Sequence, residues 1–300
     1  MKQDKIIAID IGGTNIKYAL VSSGGEILSS GNLPTEAEKG METLLFKLDE
    51  LIQTYLSEEI LGLAVSATGQ IDSIQGKVVG GNPIIPGWIG CKLVKILEEK
   101  YHLPCVLEND VNCAALGEAW LGAGKGKKDF LCLTIGTGIG GGIILNHQLY
   151  RGASSVAGEF GKLYLQNKQE VYEKYASMSA LVQKVQEKTG KHWNGKKIFD
   201  VYWQGEENIV SIVDEWIHDI AEGLKVLLYL WNPGCIILGG AVTHQGEAFQ
   251  KKIEEELQKQ ITPNYLECLE LKFANLGNHA GLLGAAFLLL DKMKQEEVKE

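Results

Sequence analysis

Two glycine-rich turns hold the residues of this chain whose types and spacing suit phosphate chemistry. Gly12-Gly13-Thr14 follows an apolar run over residues 5–11, and Gly136-Thr137-Gly138 follows another over residues 130–135. Glycine lets a ligand approach the backbone and tolerates positive φ, while threonine adds a hydroxyl donor. Backbone N–H groups in such turns bind phosphate. The two turns therefore predict a polyphosphate gripped from two sides.

The two turns belong to a unit that occurs twice in the sequence. In each copy an apolar strand ends in glycine and threonine, a second strand returns, and a short third strand follows. The returning strands end at the turns Gly24-Gly25 and Asn146-His147. Such a repeat predicts a nucleotide held between two similar halves.

The rest of the chain alternates helical and extended patterns. Helical spacing of apolar residues predicts helices near 41–55, 93–100, 209–228 and from residue 281, and apolar runs predict strands at 60–65, 105–107, 235–238 and 268–273. Residues 80–87 predict a loop because they contain three glycines and two prolines. This order is typical of mixed sheets covered by helices, an α/β architecture.

Length and composition favour two soluble domains. The chain has 300 residues, of which 45% are hydrophobic and 22% charged, so each half can bury a core. The net charge of −9 argues against a nucleic-acid partner. Asp10 and Lys17 interrupt the apolar start, and no apolar run reaches the roughly 20 residues of a membrane span. We expect a cytoplasmic protein with no membrane partner.

The six cysteines show no spacing typical of a zinc knuckle or a redox motif. Most of them lie within apolar segments. They indicate buried free thiols in a reducing compartment.

Five motifs in register resemble one protein family. They are Asp10–Thr14, Glu108–Asp110, residues 133–142, Ala157–Glu159 and Leu238–Ala241. In this order, over nearly the whole chain, they resemble the bacterial ROK family of sugar kinases and repressors. The resemblance implies the actin-like, hexokinase-like (ribonuclease H-like) fold, in which two domains close over ATP and a sugar, and it implies a homodimer.

The resemblance also implies a division of labour between domains. Residues 1–118 would form the N-terminal domain that binds sugar and phosphate, and the final helix, about 281–300, would pack back on it. Residues 119–280 would form the nucleotide-binding and dimerisation domain.

One departure from the family pattern concerns zinc. Many members follow Ala-Gly-Glu with Gly-His and a cysteine-rich zinc loop, but this chain has Gly161-Lys162 and no cysteine between Cys132 and Cys235. We therefore expect no zinc site. Residues 173–177 still resemble the segment after that loop. The chain resembles the zinc-less branch, which includes β-glucoside kinases and some N-acetylmannosamine kinases, and also glucokinases. Lys162 either approaches the sugar or extends into solvent.

Within the resemblance, Asp110 is the expected general base. A sugar hydroxyl is a poor nucleophile, and a carboxylate within hydrogen-bond reach can accept its proton during phosphoryl transfer. The alternative is a simple helix N-cap. Asn82, Asn109, Glu159 and Glu173 are expected to bind sugar hydroxyls. Asn82 could instead start an Asn-Pro turn, and each glutamate could be a solvated surface carboxylate.

The remaining motif residues are assigned to MgATP. Asp10 would orient the water ligands of Mg²⁺, because hard carboxylate oxygens suit that ion. Gly12, Gly13 and Thr14 would line one side of the phosphates, Gly136, Thr137 and Gly138 the other side, and Gly239, Gly240 and Ala241 would let the adenosine lie against the backbone. The last three could also form an ordinary strand-to-helix turn.

The motifs predict an ATP-dependent kinase for the 6-hydroxyl of a hexose or hexoside: glucose, a β-glucoside or N-acetylmannosamine. One alternative is a sugar-sensing regulator without turnover, which the acidic charge and the missing winged helix before Lys5 disfavour. Another is an actin-like chaperone or filament ATPase. Trp88 could stack on the sugar or pack beneath its loop.

Overall fold

The structure is a computed structural model that describes residues 4–56, 59–81, 84–165 and 168–298. The chain forms two compact units. The N-terminal unit contains the residues up to Gly126, the segment Leu149–Ala157 and the residues from Asn278 onward. The C-terminal unit contains Lys127–Gln148 and Gly158–Gly277.

The N-terminal unit is built on a five-stranded mixed sheet. Its strands and the hairpin that branches from it are β1 (Lys5–Ile11), β2 (Asn15–Ser22), β3 (Ile27–Pro34), β4 (Ile60–Ala67), β5 (Gln70–Asp72), β6 (Lys77–Gly80) and β7 (Cys105–Asn109). The sheet order is β3-β2-β1-β4-β7, and β5 pairs with β6 separately. Because β1, β4 and β7 are parallel, their carboxyl ends meet at one edge of the sheet.

Helices cover both faces of this sheet. The helices α1 (Gly40–Tyr55) and α2 (Leu93–Tyr101) pack their buried leucines against the side chains of β1 that face them. The helix α3 (Asp110–Leu121) follows β7 directly, and the last helix of the chain packs against α3, β4 and β1. Strands β1 and β4 are therefore almost wholly buried, which explains their continuous apolar sequences.

The C-terminal unit repeats the same sheet. Its strands are β8 (Phe130–Ile135), β9 (Ile139–Leu145), β10 (Gln148–Leu149), β11 (Cys235–Gly240) and β12 (Glu270–Phe273), in the order β10-β9-β8-β11-β12. As in the first sheet, the first strand is antiparallel to the second and parallel to the fourth. The repeat predicted from the sequence is thus confirmed in strand order and direction.

Five helices belong to the C-terminal unit, within the residues that the structure describes, and one more closes the chain. They are α4 (Glu173–Ala176), α5 (Met178–Thr189), α6 (Gly195–Tyr202), α7 (Glu207–Trp231) and α8 (Gly246–Gln260), followed by α9 (Ala280–Glu297) of the N-terminal unit. An aromatic cluster of Phe199, Tyr202, Trp216 and Phe249 joins α6, α7 and α8. None of the helices in the described segments is long and apolar enough to span a bilayer.

Some sequence predictions differ from the structure. The third strand of the first copy, β3, is eight residues long and not short. The hairpin β5–β6 was not predicted, because strands of three and four residues are too short to show alternation. Trp88 is buried and donates its indole N–H to the Thr68 carbonyl oxygen at 3.3 Å, so it packs beneath its loop.

Candidate active site

Asp10 lies near the carboxyl end of β1, in one row with Ser66 of β4 and Glu108 of β7. The Ser66 hydroxyl donates to Asp10 Oδ1 at 2.7 Å, and Lys17 Nζ lies 3.5 Å from Oδ2. These two contacts fix the carboxylate at the sheet edge where the first glycine turn begins. It keeps part of its surface exposed, so it can still orient water around a cation.

The first glycine turn is closed by hydrogen bonds to its neighbours. The Gly12 N–H donates to the Asn15 carbonyl oxygen at 3.0 Å, and the Thr35 hydroxyl donates to the Gly12 carbonyl oxygen at 2.7 Å. Neither Gly12 nor Gly13 adopts a positive φ, so the turn does not use that freedom of glycine. Gly12 is needed for close approach instead, since a Cβ there would lie 3.0 Å from the Asn15 oxygen.

Asn109 and Asp110 form the junction between β7 and α3. Asn109 is the N-cap of α3, and its Oδ1 accepts from the backbone N–H groups of Val111 and Asn112 at 2.9 and 3.1 Å. Its Nδ2 donates to the Gly69 carbonyl oxygen and to Asp110 Oδ1, both at 2.9 Å. The amide is thus fully used within the protein, so a sugar hydroxyl would have to replace one of these bonds.

Asp110 is held with one carboxylate oxygen occupied. Its Oδ1 accepts from Asn109 Nδ2 and from the Val111 N–H, each at 2.9 Å. Among the described residues no other side chain is recorded as a donor to Oδ2, so Oδ2 is the oxygen that can take a proton. Burial and, secondarily, the nearby charge of Asp10 raise the pKa of Asp110 to about 6, against the lowering effect of its hydrogen bonds. A carboxylate with such a pKa is ionised at neutral pH and still basic enough to accept a proton.

Sequence reasoning missed the ion pair beneath this junction. The Glu108 side chain is fully buried, and its Oε2 accepts from Arg151 Nε at 2.6 Å. Its Oε1 accepts from the Asn109 N–H at 2.9 Å and from Asn112 Nδ2 at 3.0 Å. Glu108 was part of a motif, but nothing in the sequence indicated that Arg151, about forty residues later, is its partner.

In the C-terminal unit, the second glycine turn follows β8 and contacts the start of α5. The Gly136 N–H donates to the Gly138 carbonyl oxygen at 3.0 Å, and the Met178 N–H donates to the Gly136 carbonyl oxygen at 2.9 Å. Ser177 is the N-cap of α5, where its hydroxyl accepts from the Ala180 N–H at 3.1 Å. The turn is therefore anchored to a helix N-terminus, where backbone N–H groups favour anions.

A cavity of about 610 Å³ opens at this turn. Gly136 and Thr137 line it together with Ala241, so the structure brings the second glycine turn and the end of β11 to one site. The other lining residues come from α5 and were not predicted: Met178, Ser179, Val182, Gln183 and Gln186. Their spacing of three to four residues fits one helix face, but a helix face alone does not indicate a ligand.

The end of β11 requires glycine at one position. Gly240 has φ +87°, and a Cβ there would lie 2.5 Å from the Ile135 carbonyl oxygen. Gly239 has space for a side chain and an ordinary φ. The backbone of Gly240 therefore lies close against β8, and the next residue, Ala241, lines the cavity.

In the same unit, Lys162 lies near two glutamates, Glu159 and Glu173. Lys162 Nζ lies 2.6 Å from Glu173 Oε1, and Glu159 and Glu173 contribute to a raised pKa of Lys162, with the Glu173 hydrogen bond as the main cause. The other oxygen, Glu173 Oε2, lies 3.5 Å from the Ile139 N–H, directly after the glycine turn. Lys162 therefore forms an ion pair with Glu173, a residue expected to bind the sugar, and is not simply a solvated side chain.

The predicted site residues are thus divided between the two units. Asp10, the turn Gly12–Thr14, Asn109 and Asp110 meet at one sheet edge of the N-terminal unit, and the turn 136–138, Gly239–Ala241, Glu159 and Glu173 lie in the C-terminal unit. Asn82 lies outside the described residues. Among the residues described, no group of three or more histidine, cysteine, aspartate or glutamate side chains could hold a metal ion by itself.

The residues present fit MgATP. A glycine turn joined to a helix N-terminus suits a polyphosphate without a cluster of basic side chains. The cavity beside the turn suits a nucleobase. Asp10 offers one carboxylate, which fits an ion that keeps most of its water ligands.

A family model described as the ROK family matches residues 6–292. This chain belongs to the ROK family. A β-glucoside kinase from Listeria innocua is 34% identical over 98% of this chain and all of its own length. A ROK family glucokinase from Streptomyces griseus, solved with glucose and AMPPNP, has a TM-score of 0.82 at 31% identity and covers 95% of this chain and 98% of its own.

A further ROK family protein, from Streptococcus pneumoniae and solved with sucrose, has a TM-score of 0.86 at 32% identity. It covers 97% of this chain and 99% of its own chain. These ROK structures confirm the actin-like, hexokinase-like fold that the motifs implied.

Proposed function

We propose that this ROK protein is an ATP-dependent kinase that transfers the γ-phosphoryl group to the 6-hydroxyl of a hexose or hexoside. The observation that carries the proposal is Asp110, placed at a helix start with Oδ2 available and a pKa raised to about 6. The relatives' names, β-glucoside kinase and glucokinase, favour glucose or a β-glucoside as the acceptor. N-acetylmannosamine is a further candidate.

Asp110 acts as the general base in this proposal. Its carboxylate accepts the proton of the sugar hydroxyl as the hydroxyl oxygen attacks phosphorus, and general-base assistance of this kind contributes about 10²–10⁴-fold to the rate. Asn109 keeps Asp110 Oδ1 occupied through its amide N–H, so the proton goes to Oδ2. Asp10 disfavours a second negative charge close by and so raises the basicity of Asp110.

In this proposal each glycine turn, 12–14 and 136–138, offers backbone N–H groups to phosphate. The Gly12 and Gly136 N–H groups already donate within their turns, so this role falls to the other residues of each turn. The cavity lined by α5 and Ala241 takes the nucleoside, and Gly239 and Gly240 directly precede Ala241 in the chain. Mg²⁺, when bound with ATP, neutralises charge on the phosphate oxygens. Asp10 would hold it through water.

Glu159 and Glu173, with Asn109 and Asn82, bind sugar hydroxyls in this proposal. Carboxylates accept strong hydrogen bonds from hydroxyl groups, and the ion pair with Lys162 orients the Glu173 carboxylate. We further propose that the enzyme works in the cytoplasm as a homodimer, as the family resemblance implied.

A sugar panel tests the proposal. ATP consumption by the purified protein with Mg²⁺ is measured with glucose, cellobiose, an aryl β-glucoside, N-acetylmannosamine and no sugar. We expect consumption well above the sugar-free rate with at least one acceptor. Binding of a sugar without ATP consumption would support a regulator instead, and sugar-independent ATP consumption would support a chaperone or filament ATPase.

A further inference from the structure

Glu108 is a buried carboxylate directly before the proposed general base. Its side chain has 0% exposure, and both oxygens are engaged: Oε1 by the Asn109 N–H and Asn112 Nδ2, and Oε2 by Arg151 Nε. Taking a carboxylate out of water is costly unless a cation and hydrogen bonds compensate for the lost hydration. Arg151 supplies that cation at 2.6 Å.

Arg151 itself lies on a short, closed loop. The segment Leu149–Ala157 belongs to the N-terminal unit, although the residues before and after it in the sequence belong to the other unit. The Ala157 N–H donates to the Arg151 carbonyl oxygen at 3.1 Å, and Gly152 adopts φ +71° to make the turn between them. This hydrogen bond closes the loop around Arg151, whose side chain contacts Glu108 of β7.

A continuous set of hydrogen bonds leads from Arg151 to Asp110. Arg151 fixes Glu108, Glu108 accepts from the Asn109 N–H, and the Asn109 side chain donates to Asp110 Oδ1. Each link joins atoms 2.6–2.9 Å apart. Loss of the first link would leave a buried charge without its cation next to the residue that caps α3.

We infer that Arg151 is a positioning residue for the phosphoryl transfer, acting through Glu108 on the Asn109-Asp110 junction. The inference rests on the proposed function, because it assigns the base role to Asp110. The arginine touches neither sugar nor nucleotide in this account. It holds the Glu108 carboxylate in place, so that Asp110 Oδ2 stays where the hydroxyl proton must go.

The planar shape of the Arg151 guanidinium, as well as its charge, helps to hold Glu108 in place. Arginine presents its N–H donors in a rigid planar fork, whereas a lysine ammonium is a point charge on a flexible stem. Arg151→Lys should therefore retain folding and recover part of the turnover that Arg151→Met loses.

The test measures kcat, both KM values and the thermal midpoint for Arg151→Met, Arg151→Lys, Glu108→Gln and the double variant Arg151→Met/Glu108→Gln. Because small displacements of a catalytic group can cost up to about 10²-fold, we expect kcat of Arg151→Met to fall by about ten- to a hundred-fold. The KM for ATP should stay within about two-fold, since the second glycine turn is untouched. The double variant should exceed the Arg151→Met turnover, because the unpaired buried charge is gone.

Lys168→Met is the matched control. Lys168 Nζ lies 2.6 Å from Asp219 Oδ1, and this pair resembles Arg151–Glu108 in exposure: 24% and 2% against 28% and 0%. We expect the control to lower the thermal midpoint and leave kcat near that of the parent. Arg151 variants that behave like the control, with lower stability and parental kcat, would overturn the inference. So would a double variant no more active than Arg151→Met.

The parent protein separates failure of this inference from failure of the proposed function. A parent with no sugar-dependent ATP consumption would remove the function itself. A parent that is active, with variants that keep its kcat, would remove only the role of Arg151. If Arg151→Met does not fold, kcat of Arg151→Lys and of the double variant is compared with that of the parent: a lowered kcat supports the inference, and a parental kcat in both overturns it.

Discussion

Among single residues, Asp110 decides the chemistry, because the proposed reaction needs its carboxylate to be ionised at the working pH. Burial and, secondarily, Asp10 disfavour the ionised form while hydrogen bonds stabilise it, and the outcome is a pKa raised to about 6. The same geometry makes Asn109 a cap and an orienting group at once. The N-cap and the catalytic interpretation of this dipeptide are therefore compatible.

The raised pKa predicts an acid limb in the pH profile. Protonated Asp110 cannot accept the hydroxyl proton, so kcat/KM for the sugar should fall as the pH drops below about 6, where its carboxylate titrates. The rate is measured from about pH 5 to pH 8 at fixed ionic strength. A flat profile over this range would show that Asp110 does not titrate as the base.

The same shift predicts a change in stability. The pKa of Asp110 in the folded state lies above its ordinary value of 3.8, so the ionised carboxylate destabilises the fold above about pH 6 and protonation removes this cost as the pH falls. Asp110→Asn should therefore raise the thermal midpoint relative to the parent near pH 8 and lose this advantage near pH 4. An equal difference at both pH values would contradict the assignment.

Glu173 is predicted to act on sugar affinity. A hydrogen bond to a charged group contributes roughly 1.5–3 kcal/mol, so Glu173→Gln should raise the sugar KM by about ten-fold or more. The amide keeps the shape beside the glycine turn, so the ATP KM should change much less. Lys162→Met breaks the pair at 2.6 Å and keeps the carboxylate, so it should raise the sugar KM less than Glu173→Gln does. Equal sugar KM values for Glu173→Gln and the parent would exclude Glu173 as a sugar ligand.

At the scale of elements, close helix contact sets the position of α3 and thus of Asp110. A Cβ at Gly117 of α3 would overlap the Ala280 carbonyl oxygen, and one at Gly284 of α9 would overlap the Cys113 carbonyl oxygen. The two helices therefore meet backbone to backbone, which only glycine allows. In the other unit, Trp216 of α7 donates to the Ser177 carbonyl oxygen at 3.1 Å and so holds the start of α5.

Gly284→Ala tests this contact. Alanine favours a helix by about 1 kcal/mol over glycine, but the overlap with Cys113 should outweigh that gain and lower the free energy of unfolding by about 1–3 kcal/mol. Urea denaturation followed by tryptophan fluorescence measures the change. Gly24→Ala is the control, because a Cβ there lies 3.8 Å from the nearest atom, Ser22 Oγ. Equal midpoints for both variants would mean that α3 and α9 adjust freely.

At the scale of the whole molecule, the repeat could be predicted because each copy carries its own local signals. An apolar strand followed by glycine and threonine is visible in ten residues, and both copies gave the same sheet order in the structure. The Arg151–Glu108 pair and the α5 wall of the cavity could not be predicted. They depend on segments that meet only after folding, and an arginine in a loop or a polar helix face carries no local sign of its partner.

The most direct measurement of the central claim is the identity and rate of the product formed by the parent and by Asp110→Asn. The best acceptor from the sugar panel is incubated with MgATP, and the product is assigned by ³¹P and ¹H NMR. We predict a 6-phosphate from both proteins, formed at least about 10²-fold more slowly by Asp110→Asn because its amide cannot accept the proton. Phosphorylation at another hydroxyl, or an Asp110→Asn rate close to that of the parent, would contradict the account.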